Sequence, residues 1–227
     1  MVTRRETRRR HGGGVRPWAA AAVLAALLCW SGAARAAESS LVFVTVKRGV
    51  QDASGSGDTL FARLQQDHGA PQDDRAVETT GIELDLYSIA GKSYGVAVGM
   101  EVLQYDKLFH FSDPAGALTA ETLRLEARGA LYSLKGFLRW GVVLPFVALG
   151  GGNYYVTYMQ SQEGLRFIDS ATQVFHTRAG VRLMMGRFGM LFESGQVTAP
   201  LRVHTAGGNS TLELGGSFAN VGFSWLW

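Results

Sequence analysis

From about residue 40 onward, apolar and polar positions alternate with a period of two. Ile82-Glu-Leu-Asp-Leu86, Val96-Ala-Val-Gly-Met-Glu-Val102 and Val221-Gly-Phe-Ser-Trp225 each place large apolar side chains on one parity and small, polar or charged ones on the other. Successive side chains of a strand point to opposite faces, so the pattern predicts strands with one oily face. Strands are predicted near 41–50, 79–89, 93–106, 121–138, 144–160, 171–185, 189–200 and 211–227. The connections at 90–92, 139–141 and 186–188 are tight, whereas those at 51–78, 107–120, 161–170 and 201–210 are longer and rich in Gly, Ser, Asp and Gln. In the first long connection, Thr59 to Leu64 is expected to form a short helix over one end of the fold. Eight antiparallel strands with three short turns on one side and four longer loops on the other predict an all-β chain. The fold class is an eight-stranded antiparallel transmembrane up-and-down β-barrel.

The amino-terminal stretch follows a different rule. Arg4, Arg5, Arg8, Arg9, Arg10 and Arg16 precede an apolar run from Trp18 to Leu28 that is too short to span a bilayer, and Ala34-Arg35-Ala36 forms a small-residue cleavage site. Residues 1–36 are therefore expected to be a cleaved signal peptide for general secretion, with 37–227 as the barrel domain. Removing 36 of the 227 residues leaves 191. Glu6-Thr7 after Arg4-Arg5 disfavours a twin-arginine signal, and Leu28 and Trp30 around Cys29 disfavour a lipoprotein site.

The cleavage changes the charge reading. The whole chain carries 22 Lys and Arg against 19 Asp and Glu, but seven of the basic residues and one acidic residue lie in 1–36, leaving 15 against 18. The basic character belongs to the leader, and no nucleic-acid signature remains. The one cysteine, Cys29, leaves with the leader, so disulfides and thiolate metal sites are not expected. No apolar run of 18 residues follows the leader, which excludes a helical span. No cofactor and no metal is expected. The acidic first loop (Asp52, Asp58, Asp67, His68, Asp73, Asp74) has no spacing that fixes a cation. Gly150-Gly151-Gly152 falls within a strand, where it lets large neighbours approach, rather than in a phosphate-binding loop.

The last eight residues, Asn220-Val-Gly-Phe-Ser-Trp-Leu-Trp227, resemble the carboxyl-terminal signal of Gram-negative outer-membrane barrels, with Asn220, Gly222, Trp225 and Trp227 as its marked positions. Leu144-Pro-Phe-Val-Ala-Leu-Gly-Gly-Gly-Asn-Tyr-Tyr155 resembles a strand common to the small eight-stranded barrels of the OmpA and OmpX type, and the resemblance covers 37–227. It implies a monomeric, porin-like envelope protein of the cell outer membrane. The implied partners are the assembly machinery, outer-membrane lipid and lipopolysaccharide, and a loop ligand that the sequence does not identify. Two aromatic belts are expected: Trp140, Trp225 and Trp227 at the turn side, and Tyr105, Phe109, Phe111, Tyr154, Tyr155 and Tyr158 at the loop side.

With apolar residues turned to lipid, the inward positions are charged. Lys47, Glu83, Asp85, Glu101, Arg124, Glu126, Arg128, Arg178, Arg182 and Glu193 are expected to face the lumen with His176, five carboxylates against five cations. An eight-stranded lumen is just wide enough for side chains, so a compensated ionic network is the expected filling. The leading function is then a structural or surface-binding barrel. One alternative is a lipid A deacylase-like hydrolase, because His110-Phe111-Ser112 resembles the His-x-Ser pair of those enzymes, with Glu121 as the candidate third member. The other is a narrow pore.

Overall fold

The computed structural model describes residues 40–53, 58–89, 93–161, 168–205 and 208–227; the expected leader and the turn at 90–92 lie outside them. Eight long strands close into one antiparallel barrel: β1 (Ser40–Asp52), β2 (Ala76–Ile89), β3 (Tyr94–Phe111), β4 (Glu121–Leu138), β5 (Val143–Gln160), β6 (Ile168–Met185), β7 (Phe188–Thr198) and β10 (Gly216–Leu226). A helix, α1 (Thr59–His68), follows β1, and β8 (Pro200–Thr205) pairs with β9 (Gly208–Glu213) as a separate two-stranded hairpin. The expected eighth strand, 211–227, is thus divided, and the expected loop at 201–210 is a hairpin. The division falls at Gly215-Gly216, where Gly216 has a left-handed φ of 150°. No described helix is long and apolar enough to cross a membrane.

Turn chemistry fixes the short connections. Trp140 and Val143 exchange backbone hydrogen bonds of 2.9 and 3.0 Å around Gly141, whose φ of 63° suits glycine. Gly186, with φ 67°, makes the tight step from β6 to β7. The barrel closes where β1 pairs with β10, Phe43 opposite Leu226 and Lys47 opposite Gly222.

The outer surface carries an apolar band with a defined upper edge. On β3 the outward side chains are Tyr94, Val96, Val98, Met100 and Val102, followed by Gln104 and Asp106. Ile82, Val102 and Ala130 lie side by side at that edge, and Thr80, Gln104 and Arg128 lie side by side just beyond it. The same change occurs between Val46 and Arg48 on β1 and between Phe192 and Ser194 on β7. From Tyr94 to Val102 is nine residues, enough for a tilted strand to cross a hydrocarbon layer of about 30 Å. Strands β3 to β6, 18 residues each, continue past the edge. On β3 the eight residues beyond it, Gln104–Phe111, project about 26 Å along the strand.

The interior is filled in three layers. At the turn end, Phe43, Tyr87, Phe137, Leu144, Phe146 and Leu191 form an apolar floor. Above it lies a charged layer. At the loop end, Leu103, Tyr105, Phe109, Phe111, Leu123, Leu125, Tyr154 and Tyr158 point inward and pack with Leu60, Phe61 and Leu64 of α1 and with Leu201, Val203, Leu212 and Leu214 of the hairpin region. Helix and hairpin therefore cap the mouth. The expected loop-side aromatic belt is corrected here. Tyr105, Phe109, Phe111, Tyr154 and Tyr158 are buried in the cap, and Tyr155 alone of the six is exposed. Above the apolar band the surroundings of the strands no longer select oil, and large rings gain more by filling the mouth.

Candidate functional site: the ionic layer and its cap

Four cations and four carboxylates meet inside the barrel. Lys47 Nζ lies 2.7 Å from Glu101 Oε1, 2.7 Å from Glu193 Oε1 and 3.4 Å from Glu83 Oε2. Lys135 Nζ donates to Glu83 and Asp85 at 2.8 Å each. Arg178 donates to Glu101 at 2.8 Å, to Glu83 at 2.7 Å and to Ser133 Oγ at 2.9 Å, and approaches Glu193 at 3.4 Å. Arg182 donates to Asp85 Oδ2 at 2.8 Å, Tyr87 Oη at 2.9 Å and Thr45 Oγ1 at 3.2 Å. All eight are buried. The lower cations rest on the aromatic floor, Arg182 at 4.4 Å from the Phe43 ring centroid and Lys135 at 5.1 Å from that of Phe146. Space for this layer is left by Gly99, where an added Cβ would stand 2.5 Å from Ser133 Oγ and 2.6 Å from Asp85 Oδ1. Gly150 likewise leaves room for the His176 ring, whose Nε2 lies 3.2 Å from the Tyr132 carbonyl.

Seven of the ten residues expected in the lumen are in this layer: Lys47, Glu83, Asp85, Glu101, Arg178, Arg182 and Glu193. Arg124, Glu126 and Arg128 are not. They lie on the outer face of β4 above the apolar band, where Arg124 pairs with Asp106 at 2.7 Å and Glu126 at 2.9 Å. Their strand keeps one parity throughout, but its surroundings change. Below the edge, outward Ala130, Tyr132, Leu134 and Leu138 face the apolar band; above it, inward Leu123, Leu125 and Ala127 fill the cap and the charges turn to water. Lys135, which was not among the expected residues, shares the parity of Leu123 and Leu125 and points into the lumen. The signal that could have found Lys135 is this inversion of pattern between Arg128 and Ala130.

The His110-x-Ser112 pair also lies above the band. His110 faces outward at the top of β3, and its Nδ1 is 2.8 Å from Asp73 Oδ2, which also accepts from the His110 backbone N–H at 2.8 Å. These hydrogen bonds hold the Asp73 carboxyl below the usual carboxylate range. Among the described residues no hydrogen bond joins His110 to Ser112. Glu121 is buried and accepts from Ser161 Oγ at 2.5 Å and from the Ser161 N–H at 2.7 Å. The residue that orients His110 is therefore Asp73 and not Glu121, because adjacent-strand positions Phe111 and Glu121 share the inward face while His110 points out. No group of three metal-ligating side chains occurs among the described residues.

At the end of β10, Asn220 donates to Glu193 Oε1 at 3.0 Å, Gly222 sits against Lys47, and Trp225 and Trp227 point outward. Trp225 lies 5.7 Å from the Phe188 ring on the neighbouring strand.

No family model matches the sequence, and no curated protein matches it. Solved structures do. Neisserial surface protein A (NspA) superposes with a TM-score of 0.50 at 9% identity, over 83% of this chain and 99% of that one. Ail, the attachment invasion locus protein of Yersinia pestis in complex with the heparin analogue sucrose octasulfate, matches with a TM-score of 0.43 at 10% identity, over 83% and 97%. The outer membrane protein OprG from Pseudomonas aeruginosa gives 0.43 at 12% identity, over 83% and 95%. The closed eight-stranded antiparallel barrel of this chain is thus the fold it shares with NspA.

Proposed function

We propose that the protein is an outer-membrane barrel closed to flow, whose capped external end is the surface that meets a partner. The observation that carries this reading is the continuous filling of the lumen by apolar floor, ionic layer and apolar cap. A cavity of about 30 Å³ between Lys47, Arg178, His176 and Tyr154 has room for about two water molecules, not for a conduction path. The interior charges act as a structural plug: each buried charge meets opposite charges, which offsets its desolvation. In this reading residues 1–36 direct general secretion and are removed, and the strand from Asn220 to Trp227 is the segment the assembly machinery reads. The apolar band meets membrane lipid, and the charged rim with Arg128 meets the lipopolysaccharide head groups. The barrel works as a monomer, and the turn end faces the periplasm.

Planar-bilayer recording tests closure: little or no steady conductance is expected, and a large stable conductance would overturn it. The membrane placement has its own test. Val98, outward at mid-band, replaced by Arg should destabilise the barrel in phospholipid vesicles by about 2–4 kcal/mol, whereas Gln104→Arg, just past the edge, should change it by about 0–1 kcal/mol. Equal effects at the two sites would remove the bilayer from the apolar band.

A further inference from the structure

At the upper edge of the apolar band the outer wall has a notch. Tyr132 on β4, Gly151 on β5 and Phe175 on β6 lie side by side on the outward face. Tyr132 is 54% exposed and Phe175 58%. Among the described residues, a Cβ added at Gly151 would meet the Val174 carbonyl oxygen, at 2.9 Å, and no side chain within 4 Å. Neither ring therefore closes over the glycine. Adjacent strands are about 4.8 Å apart, so the two rings rise from backbones about 10 Å apart with a bare floor between them. Along β5 the notch is bounded by outward Leu149 on the membrane side and by outward Asn153 on the other, and Asn153 stands beside exposed Gln173 of β6. It thus lies where β5 passes from oil to polar side chains. The band alone does not account for the Phe175 ring, because its outward neighbours along β6 are Thr177 and Gln173. Arg128, four residues from Tyr132 on the same outward face of β4, is exposed. Among the described residues no carboxylate pairs with it, whereas Arg124 beyond it is held by Asp106 and Glu126.

We propose that this notch binds the head of a phosphorylated glycolipid of the outer leaflet, with a sugar ring seated between Tyr132 and Phe175 and a phosphate drawn to Arg128. A pyranose ring presents C–H groups on its faces and hydroxyls around its rim. The faces suit two aromatic walls over a floor without a side chain. The hydroxyls suit the amides of Asn153 and Gln173, which both donate and accept. The phosphate suits the planar fork of an arginine that has no carboxylate to compete for it. An acyl chain would cover the rings but leave both amides unused, and a phosphatidylglycerol head has no ring to fill the notch. The proposal deepens the outer-membrane reading and rests on it for the position of the bilayer.

The test uses the full barrel in phosphatidylcholine nanodiscs doped with diphosphoryl lipid A or, separately, with phosphatidylglycerol, and native mass spectrometry reads the lipid retained. The wild type should retain a single lipid A in preference to phosphatidylglycerol. Gly151→Leu fills the floor but must move the Val174 carbonyl, so Tyr132→Ser with Phe175→Ser, which strips the walls and leaves the backbone, serves as the second variant. Each should weaken lipid A retention by about 10-fold or more. Arg128→Ala should weaken it by about 2–5-fold at low salt and less at high salt. Retention unchanged in both notch variants, or phosphatidylglycerol held as firmly as lipid A by the wild type, would overturn the site, and an indifferent Arg128→Ala would remove the phosphate from it. The Val98→Arg and Gln104→Arg pair reads the position of the bilayer separately. If that pair places the bilayer on the apolar band while lipid A ignores the notch, the notch alone falls.

Discussion

Replacing Arg178 with Met is expected to destabilise the barrel by about 3–5 kcal/mol, read as a lowered urea midpoint in phospholipid vesicles. The guanidinium touches Glu83, Glu101 and Glu193, which come from three different strands, and donates to Ser133 on a fourth. Its loss leaves four buried carboxylates facing three cations. Lys47 already contacts the same three carboxylates, so no spare cation stands ready to take over. The double variant Arg178→Met with Glu101→Gln restores the count to three against three and should recover much of the loss. Arg128→Ala, on the exposed outer face of β4, should stay within about 0.5 kcal/mol. If Arg178→Met were as mild as Arg128→Ala, the layer would be open to water, and the closed-lumen reading would have to be abandoned.

The contrast between Arg178 and Arg128 also measures how much of the molecule was legible in the sequence. Alternation located all eight barrel strands, because a strand that faces oil on one side can be written in few other ways. It assigned β1, β2, β3, β6 and β7 to the right faces, since the charges that decided each, Lys47, Glu83, Asp85, Glu101, Arg178, Arg182 and Glu193, lie in the part that crosses the apolar band. It failed on β4, whose charges are densest above the band. There the rule that apolar side chains face outward reverses, and Arg124, Glu126 and Arg128 point to water while Leu123, Leu125 and Ala127 point in. The cap was legible only as a short helix. Its hairpin was divided between two readings, 201–210 as a loop and 211–213 as the start of the last barrel strand, because Thr211-Leu-Glu-Leu214 alternates like any strand. Asp73 as the partner of His110 was not legible either, because 37 residues of chain separate the two and only the packing of the 70–76 segment along β3 brings them together.

Phe61→Ala is expected to weaken the docking of α1 by about 3–5 kcal/mol, the range for emptying a buried aromatic site. Phe61 is 4% exposed, meets Phe109 edge-on at 4.9 Å and Phe111 at 5.5 Å, and carries Arg75 on its face, so its removal takes the centre out of the cap. A ten-residue helix has little stability of its own in water. Residues 59–68 should therefore become open to protease and to fast amide exchange in the variant. The barrel wall should hold, because Phe61 touches neither the ionic layer nor the aromatic floor around Phe43 and Tyr87. Limited proteolysis together with a urea melt separates the two outcomes. A nicked cap on a barrel with an unchanged midpoint makes the cap a unit that opens by itself, as a binding surface at the mouth requires. A midpoint that falls with the loss of Phe61 would mean that cap and wall unfold together, and the cap would then be part of what holds the barrel shut.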